Sequence, residues 1–408
     1  MKTIVVCILL ILCVQVTGQT IAIKAGSLID LKNEKILKNA VIVIRMNKIV
    51  EINYDNHTPD AAEIIDLKDY TVLPGLIDGH THLMTDGADY DKDLYSYSSV
   101  YRALRATSYL KISLLNGFTT LRDVCTEGTG FSDKDLSRCI AMGYIDGPRI
   151  IPSTMGIAIR GFYLPATMSQ NWEANLPNGV QFVSGKDECI AAVRHQVSEG
   201  AKWIKVYVDW PTPSGTKVIF TSEELSSIVE TANNLGVQVA AHAESKDGID
   251  LSINTGVRSI EHGKEFDNEL IEKALIKNVY WCPTISMFEY WKSTDVLKII
   301  YLNLKNGYKK GAKIVLGTDV GSFPWTINQA KELEYYVKNA GFSSIDAIKT
   351  GTINAAEMLN MEKLIGQIQP GYFADIIAVK GNPIDDITLL QNVVFVMKNG
   401  KVYKRPDH

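Results

Sequence analysis

Between residues 75 and 319 short apolar runs alternate with longer amphipathic stretches, and few architectures accept that pattern. The apolar runs fall at 75–82, 119–124, 149–159, 203–208, 237–243, 258–262, 279–285 and 314–319. Stretches such as 101–115, 222–235 and 267–276 repeat their apolar positions at helical spacing. Eight strand–helix units predict an α/β fold, a parallel sheet closed into a (β/α)8 TIM barrel. An open doubly wound sheet is the second arrangement that such a pattern allows.

The two ends of the chain have a different texture. Short alternating runs at 21–25, 40–44 and 48–52 are separated by turn residues such as Asn39 and Asn47. The same texture returns at 374–379, and Asn399-Gly400 between 393–398 and 401–403 favours a two-residue hairpin turn. Two β-rich ends around a different middle predict a small composite β-sandwich domain built from both termini, residues 19–73 with 366–408. It would flank a barrel over 74–365.

Residues 1–18 stand apart. Lys2, the apolar run Ile4 to Val14, and Val16 and Gly18 as small residues before a cut form the pattern of a signal peptide. A run this short spans a bilayer poorly, so the expectation is cleavage after Gly18 and a secreted or periplasmic protein with no membrane attachment afterwards. The net charge of −4 and the 22% of charged residues point away from nucleic acid and anionic membranes as partners. Of six cysteines, Cys7 and Cys13 fall in the leader. Cys125, Cys139, Cys189 and Cys282 are widely spaced, which excludes a zinc-finger or C-x-x-C redox reading and leaves buried thiols or a disulfide open.

Chemistry concentrates at the ends of the barrel runs. In His80-Thr81-His82, residues two apart on a strand face the same way, so both imidazoles can reach one metal ion. They sit at the expected C-terminal end of the first strand, the face where such barrels gather their active sites. Lys205 lies inside the apolar run Trp203 to Val208, where an unpaired cation costs several kcal/mol. It is either paired with an acid or held neutral. A neutral amine can add carbon dioxide to become an anionic, two-toothed carbamate ligand. His242 and His262 end two further runs, each before a small residue, and Asp319 ends the last. Asp319 reads as a helix cap or, beside the first strand, as a metal ligand and proton acceptor. His57, His195 and His408 fall outside this constellation and read as surface or structural residues.

These residues bring in a family. The segments Leu73-Pro74-Gly75-Leu76-Ile77-Asp78-Gly79-His80-Thr81-His82, Gly117 to Asp123, Trp203 to Val206, Ala241-His242-Ala243, Ser259 to Gly263 and Gly317-Thr318-Asp319 resemble the amidohydrolase superfamily. Within it they are similar to the imidazolonepropionase-like group that includes Xaa-Pro dipeptidases (prolidases), over nearly the whole of 21–403. The resemblance implies a metal-dependent amidohydrolase with a binuclear centre, two Zn²⁺ per chain. His80, His82 and Asp319 would hold one ion, His242 and His262 the other, and carboxylated Lys205 would bridge them. A metal-bridging hydroxide would cleave a C–N amide bond, most simply in dipeptides or N-acyl amino acids, with Asp319 moving the proton to the leaving nitrogen.

The sequence departs from that group after the third and fourth strands, at Ile159-Arg160-Gly161-Phe162-Tyr163 and Val208-Asp209-Trp210-Pro211. Arg160 either grips a substrate carboxylate or is a surface residue, and Tyr207 either donates to an oxyanion or packs. A cyclic amide opened at a mononuclear site is the alternative within hydrolases. A silent binding scaffold is the alternative outside them, and the full ligand set argues against it. A homo-oligomer is left open.

Overall fold

The computed structural model describes residues 20–406 apart from 55–56, 61, 88 and 164–177. The leader and His408 therefore lie outside the described residues. Among the described residues, no helix is long and apolar enough to cross a membrane.

The α/β alternation is realised with a parallel sheet. Strands Leu76–Thr81, Phe118–Asp123 and Arg149–Pro152 pair in that order, all parallel. Trp203–Tyr207, Gln238–Ala243, Ser259–His262, Tyr280–Cys282 and Lys313–Ile314 follow in a second parallel series. Backbone bonds join the two series on both sides. Lys202 N donates to Pro152 O at 2.8 Å, Gly79 N to Leu316 O and Asp319 N to His80 O, both at 2.9 Å.

The chain ends form one seven-stranded sheet. Thr20–Asp30, Lys35–Arg45, Lys48–Asn53 and Glu63–Pro74 share it with Ile376–Lys380, Phe395–Lys398 and Lys401–Lys404. Asn399 and Gly400 both hold positive φ, 49° and 75°, as the expected hairpin turn requires. This sheet packs its own apolar cluster, with Ile23, Ile42, Leu67, Phe395 and Met397 fully buried. A larger cluster, including Leu121, Ile204, Val239 and Leu316, lies under the helices. Each such side chain contributes about 1.5–3 kcal/mol on burial.

Helix starts follow local rules. Ser222–Asn234 begins with a complete capping box, Thr221 with Glu224, and Asn268–Lys277 begins at Asp267, whose carboxylate accepts from Glu269 N and Leu270 N.

Three expectations need correction. The run 149–159 is two strands, Arg149–Pro152 and Gly156–Ile159. Thr154 takes φ 60° and donates its N–H to Asp133 Oδ2 at 2.8 Å, which breaks the run. The last run is regular only over Lys313–Ile314, because Asp78 captures the backbone N–H and the hydroxyl of Thr318. Strands Glu63–Pro74 and Val180–Val183 and the hairpin Asp209–Thr212/Gly215–Val218 were not anticipated as separate elements.

Candidate metal centre and active-site cavity

Successive strand ends deliver the predicted side chains to one place. His80 is the last residue but one of Leu76–Thr81, and His82 directly follows that strand. Their ring centroids are 5.3 Å apart, His80 and His262 are 5.0 Å apart, and His262 and His242 are 4.6 Å apart. Asp319 approaches three of these rings, with Oδ1 3.6 Å from His80 Nε2 and 3.3 Å from His82 Nε2, and Oδ2 3.9 Å from His262 Nδ1. Lys205 is buried on the strand between Gly156 and Ala240 and lines the same cavity, of about 400 Å³.

Backbone conformation explains how neighbours in sequence both reach the site. His262 and Asp319 hold left-handed φ, 68° and 63°, uncommon for residues with a Cβ. Glu261 and His262 therefore both reach the centre, although strand alternation would send one of them away, while Thr318 turns to Asp78 and Asp319 to the imidazoles. Gly317 makes room: a Cβ there would stand 2.0 Å from Cys282 Sγ and 2.8 Å from His80 Cβ.

A ring of hydrogen bonds orients the donors. Glu261 Oε2 lies 2.7 Å from His80 Nδ1, and Glu261 Oε1 accepts from Arg122 at 2.8 Å and from Ser259 at 2.5 Å. His262 Nδ1 meets Thr284 Oγ1 at 2.8 Å. Asp78 accepts from His80 N, Thr318 and Gln329, and burial pushes its carboxyl up to about 6. Such partners fix ring tautomer and direction in metal sites.

Three of the four imidazoles are held neutral, the form that ligates a cation. Burial holds His80 and His262 well below the usual imidazole range and His242 at about 3, helped by the Lys205 charge at His80 and His242 and by the neighbouring imidazoles at His262. Burial would lower His82 as well, but the adjoining Asp319 carboxylate, and after it Glu127, push it up to about 9. Burial lowers Lys205 against the pull of Glu261 and Asp319. His80 Nε2 and Asp319 Oδ1 are buried without a hydrogen-bond partner although they face each other. Two orphaned ligand atoms cost about 1–3 kcal/mol each unless something satisfies them, and a divalent cation among His80, His82 and Asp319 would do so. The donors fit such an ion. A second triple, His80, Glu261 and Cys282, is a poorer candidate, because Glu261 is engaged by Arg122 and burial keeps the Cys282 thiol protonated.

Residues 71–403 match the amidohydrolase family profile. The chain belongs to the amidohydrolase family. This amidohydrolase is 30% identical to an ochratoxinase of Aspergillus niger, over 94% of this chain and 86% of that protein. It is 25% identical to an imidazolonepropionase of Picrophilus torridus, over 89% and 91%. Among solved structures it resembles a Xaa-Pro dipeptidase with bound methionine in the active site, with TM-score 0.86 and 33% identity, covering 95% of this chain and 100% of that one.

Two expected substrate residues lie differently in this amidohydrolase. Tyr207 lines the cavity, and its hydroxyl donates to Glu127 at 3.1 Å. Arg160 does not line it. Its side chain is 63% exposed and its guanidinium faces Glu188 at 3.5 Å. Glu127, in the cavity wall, and Glu261, behind His80, were not among the expected site residues, whereas Tyr163 and Trp210 fall in the two stretches where the sequence departs from its group. For Glu261 a signal existed, since it directly precedes His262 in a strand-end motif. Cys125, Cys139, Cys189 and Cys282 are all free thiols.

Proposed function

We propose that this amidohydrolase is a binuclear, metal-dependent hydrolase of C–N amide bonds in dipeptides or N-acyl amino acids. The observation that carries the reading is the facing pair of orphaned ligand atoms, His80 Nε2 and Asp319 Oδ1, among four imidazoles and a buried lysine. His80, His82 and Asp319 would hold one divalent ion, zinc by donor chemistry, and His242 with His262 a second. Lys205, its amine combined with carbon dioxide as a carbamate, would join the two. Bound there, the ions supply Lewis-acid polarisation and a nucleophile from water at neutral pH.

The chain's own residues supply the rest. Asp319 stands against two imidazoles with one oxygen free of hydrogen bonds, placed to take the proton of the attacking water and pass it to the leaving nitrogen. Glu261, Thr284 and Asp78 hold the imidazoles and the Asp319 strand end in register. The cavity presents aromatic walls, Tyr163, Tyr207 and Trp210, that limit the substrate's approach.

The architecture fits a closed (β/α)8 barrel over 74–365, with the seven-stranded sheet of 19–73 and 366–408 as its small partner. A leader at 1–18 would export the protein, which N-terminal sequencing of the exported form tests.

Elemental mass spectrometry on chelator-free protein, with turnover of a dipeptide and N-acyl amino acid panel, tests the function. About two ions per chain and turnover of a panel member support it. No metal after addition of zinc and bicarbonate overturns it. A mononuclear cyclic-amide hydrolase is the second reading, favoured by one fact: His80, His82 and Asp319 bring ligand atoms within 4.8 Å of one another, and among the described residues no such triple includes His242. About one ion per chain and full activity after Lys205→Ala would select it.

A further inference from the structure

Glu127, in the loop after Phe118–Asp123, holds left-handed φ of 48° and sets a buried carboxylate in the cavity wall. Three phenols donate to it: Tyr90 and Tyr163 to Oε2 at 2.9 and 2.5 Å, and Tyr207 to Oε1 at 3.1 Å. Burial, reinforced by the Glu127 charge, keeps the Tyr163 hydroxyl protonated far beyond the usual range. Each phenol has one proton and spends it on the carboxylate, so only oxygen lone pairs remain for a ligand. The buried charge polarises those oxygens and makes them better acceptors.

Ring faces complete the wall. Tyr163 stands 4.5 Å from Tyr207 and 4.7 Å from Trp210 between centroids, and such faces attract cations. A substrate carboxylate or oxyanion would meet lone pairs there, whereas an ammonium would meet acceptors and π density. Arg102, whose Nε donates to Met84 O and whose Nη2 is buried without a partner, does not line the cavity. Arg160, the residue expected to hold a carboxylate, lies outside the cavity.

Distance sets where the ammonium would sit. His82 lies between the wall and the centre, its Nδ1 3.3 Å from Glu127 Oε1 and its Nε2 3.3 Å from Asp319 Oδ1. The wall is thus one imidazole from Asp319. An α-amino nitrogen lies only about 2.5 Å from its own carbonyl carbon, so a carbonyl presented to Asp319 brings that nitrogen toward Glu127.

We propose that Glu127 with Tyr90, Tyr163 and Tyr207 forms a subsite for a protonated α-amine on the acyl side of the scissile amide. The enzyme then takes unblocked dipeptides in preference to N-acylated ones, an inference that rests on the amide-hydrolase reading.

The test compares alanyl-leucine with N-acetyl-alanyl-leucine on metal-replete protein. Wild type is expected to favour the free amine by about tenfold or more in kcat/KM, the worth of a charged hydrogen bond. Glu127→Gln should lower that ratio about tenfold, mainly through KM. Should Glu127→Gln fail to fold, Tyr163→Phe removes one acceptor, keeps the carboxylate, and should lower the ratio severalfold. A wild-type ratio of one or less, or a ratio unmoved in the variant that folds, overturns the proposal. If wild type cleaves neither compound, the amide-hydrolase reading fails separately. Calorimetric binding of alaninamide against N-acetyl-alaninamide then decides the subsite, tighter binding of the free amine supporting it and equal binding overturning it.

Discussion

Glu261 Oε2 lies 2.7 Å from His80 Nδ1 although 181 residues of chain separate them. The contact fixes the imidazole with Nε2 turned to Asp319. Glu261 is itself clamped by Arg122, whose guanidinium is buried over the Trp203 ring. The carboxylate therefore positions a metal donor and balances a buried cation at once.

Glu261→Gln should weaken metal binding about 10–100-fold, as the loss of a partner behind a ligating imidazole generally does. It should also lower the stability of the metal-free protein by about 3–5 kcal/mol, because Arg122 loses its buried counter-charge. Competition with a chelator reads the first effect and urea unfolding the second. Unchanged zinc affinity would deny Glu261 a positioning role.

Lys205→Ala should lower the metal content from about two ions per chain to about one and reduce turnover, since its carbamate is the proposed joint between the two ions. Elemental analysis of both proteins, prepared with bicarbonate, checks this. Equal metal content would remove the bridge.

Asp319→Asn keeps the shape of the side chain and removes its basicity. A fall in kcat of about 10²–10⁴ is expected, the usual worth of a positioned acid–base group. Far-UV circular dichroism verifies the fold. A variant with wild-type kcat would place proton transfer elsewhere.

Glu332 gives a pH prediction away from the centre. It accepts from Ile285 N, Ser286 N and the Ser286 hydroxyl, yet burial pushes its carboxyl from 4.5 up to about 7. The folded chain thus holds this proton more tightly than the unfolded chain does. The associated stability is fully present below about pH 4.5 and is lost as pH rises to about 7, on the order of 3 kcal/mol. Glu332→Gln should remove that part of the slope, read as urea midpoints at the two pH values. A slope identical to wild type would refute the assignment.

Much of this was legible in the chain itself, for local reasons. Strand alternation made His80 and His82 one face, apolar burial marked Lys205, and Asn399-Gly400 announced its turn. These signals need only a few neighbouring residues and the geometry of a strand. The β texture of the two ends was also legible, since its alternation breaks with that of the middle.

What the sequence by itself determined was the α/β pattern, the strand-end donors and the family they resemble. The tertiary structure decided which distant groups satisfy them. Glu261 faces inward with Ser259, two residues before it, so alternation would turn His262 away, and the left-handed φ of His262 brings it in as well. Glu127 gathers Tyr90, Tyr163 and Tyr207 from three separate segments, while Arg160 turns out to Glu188. Partners of a buried charge are selected by desolvation and close packing across the fold, and those forces act between surfaces that meet only after the chain has closed on itself.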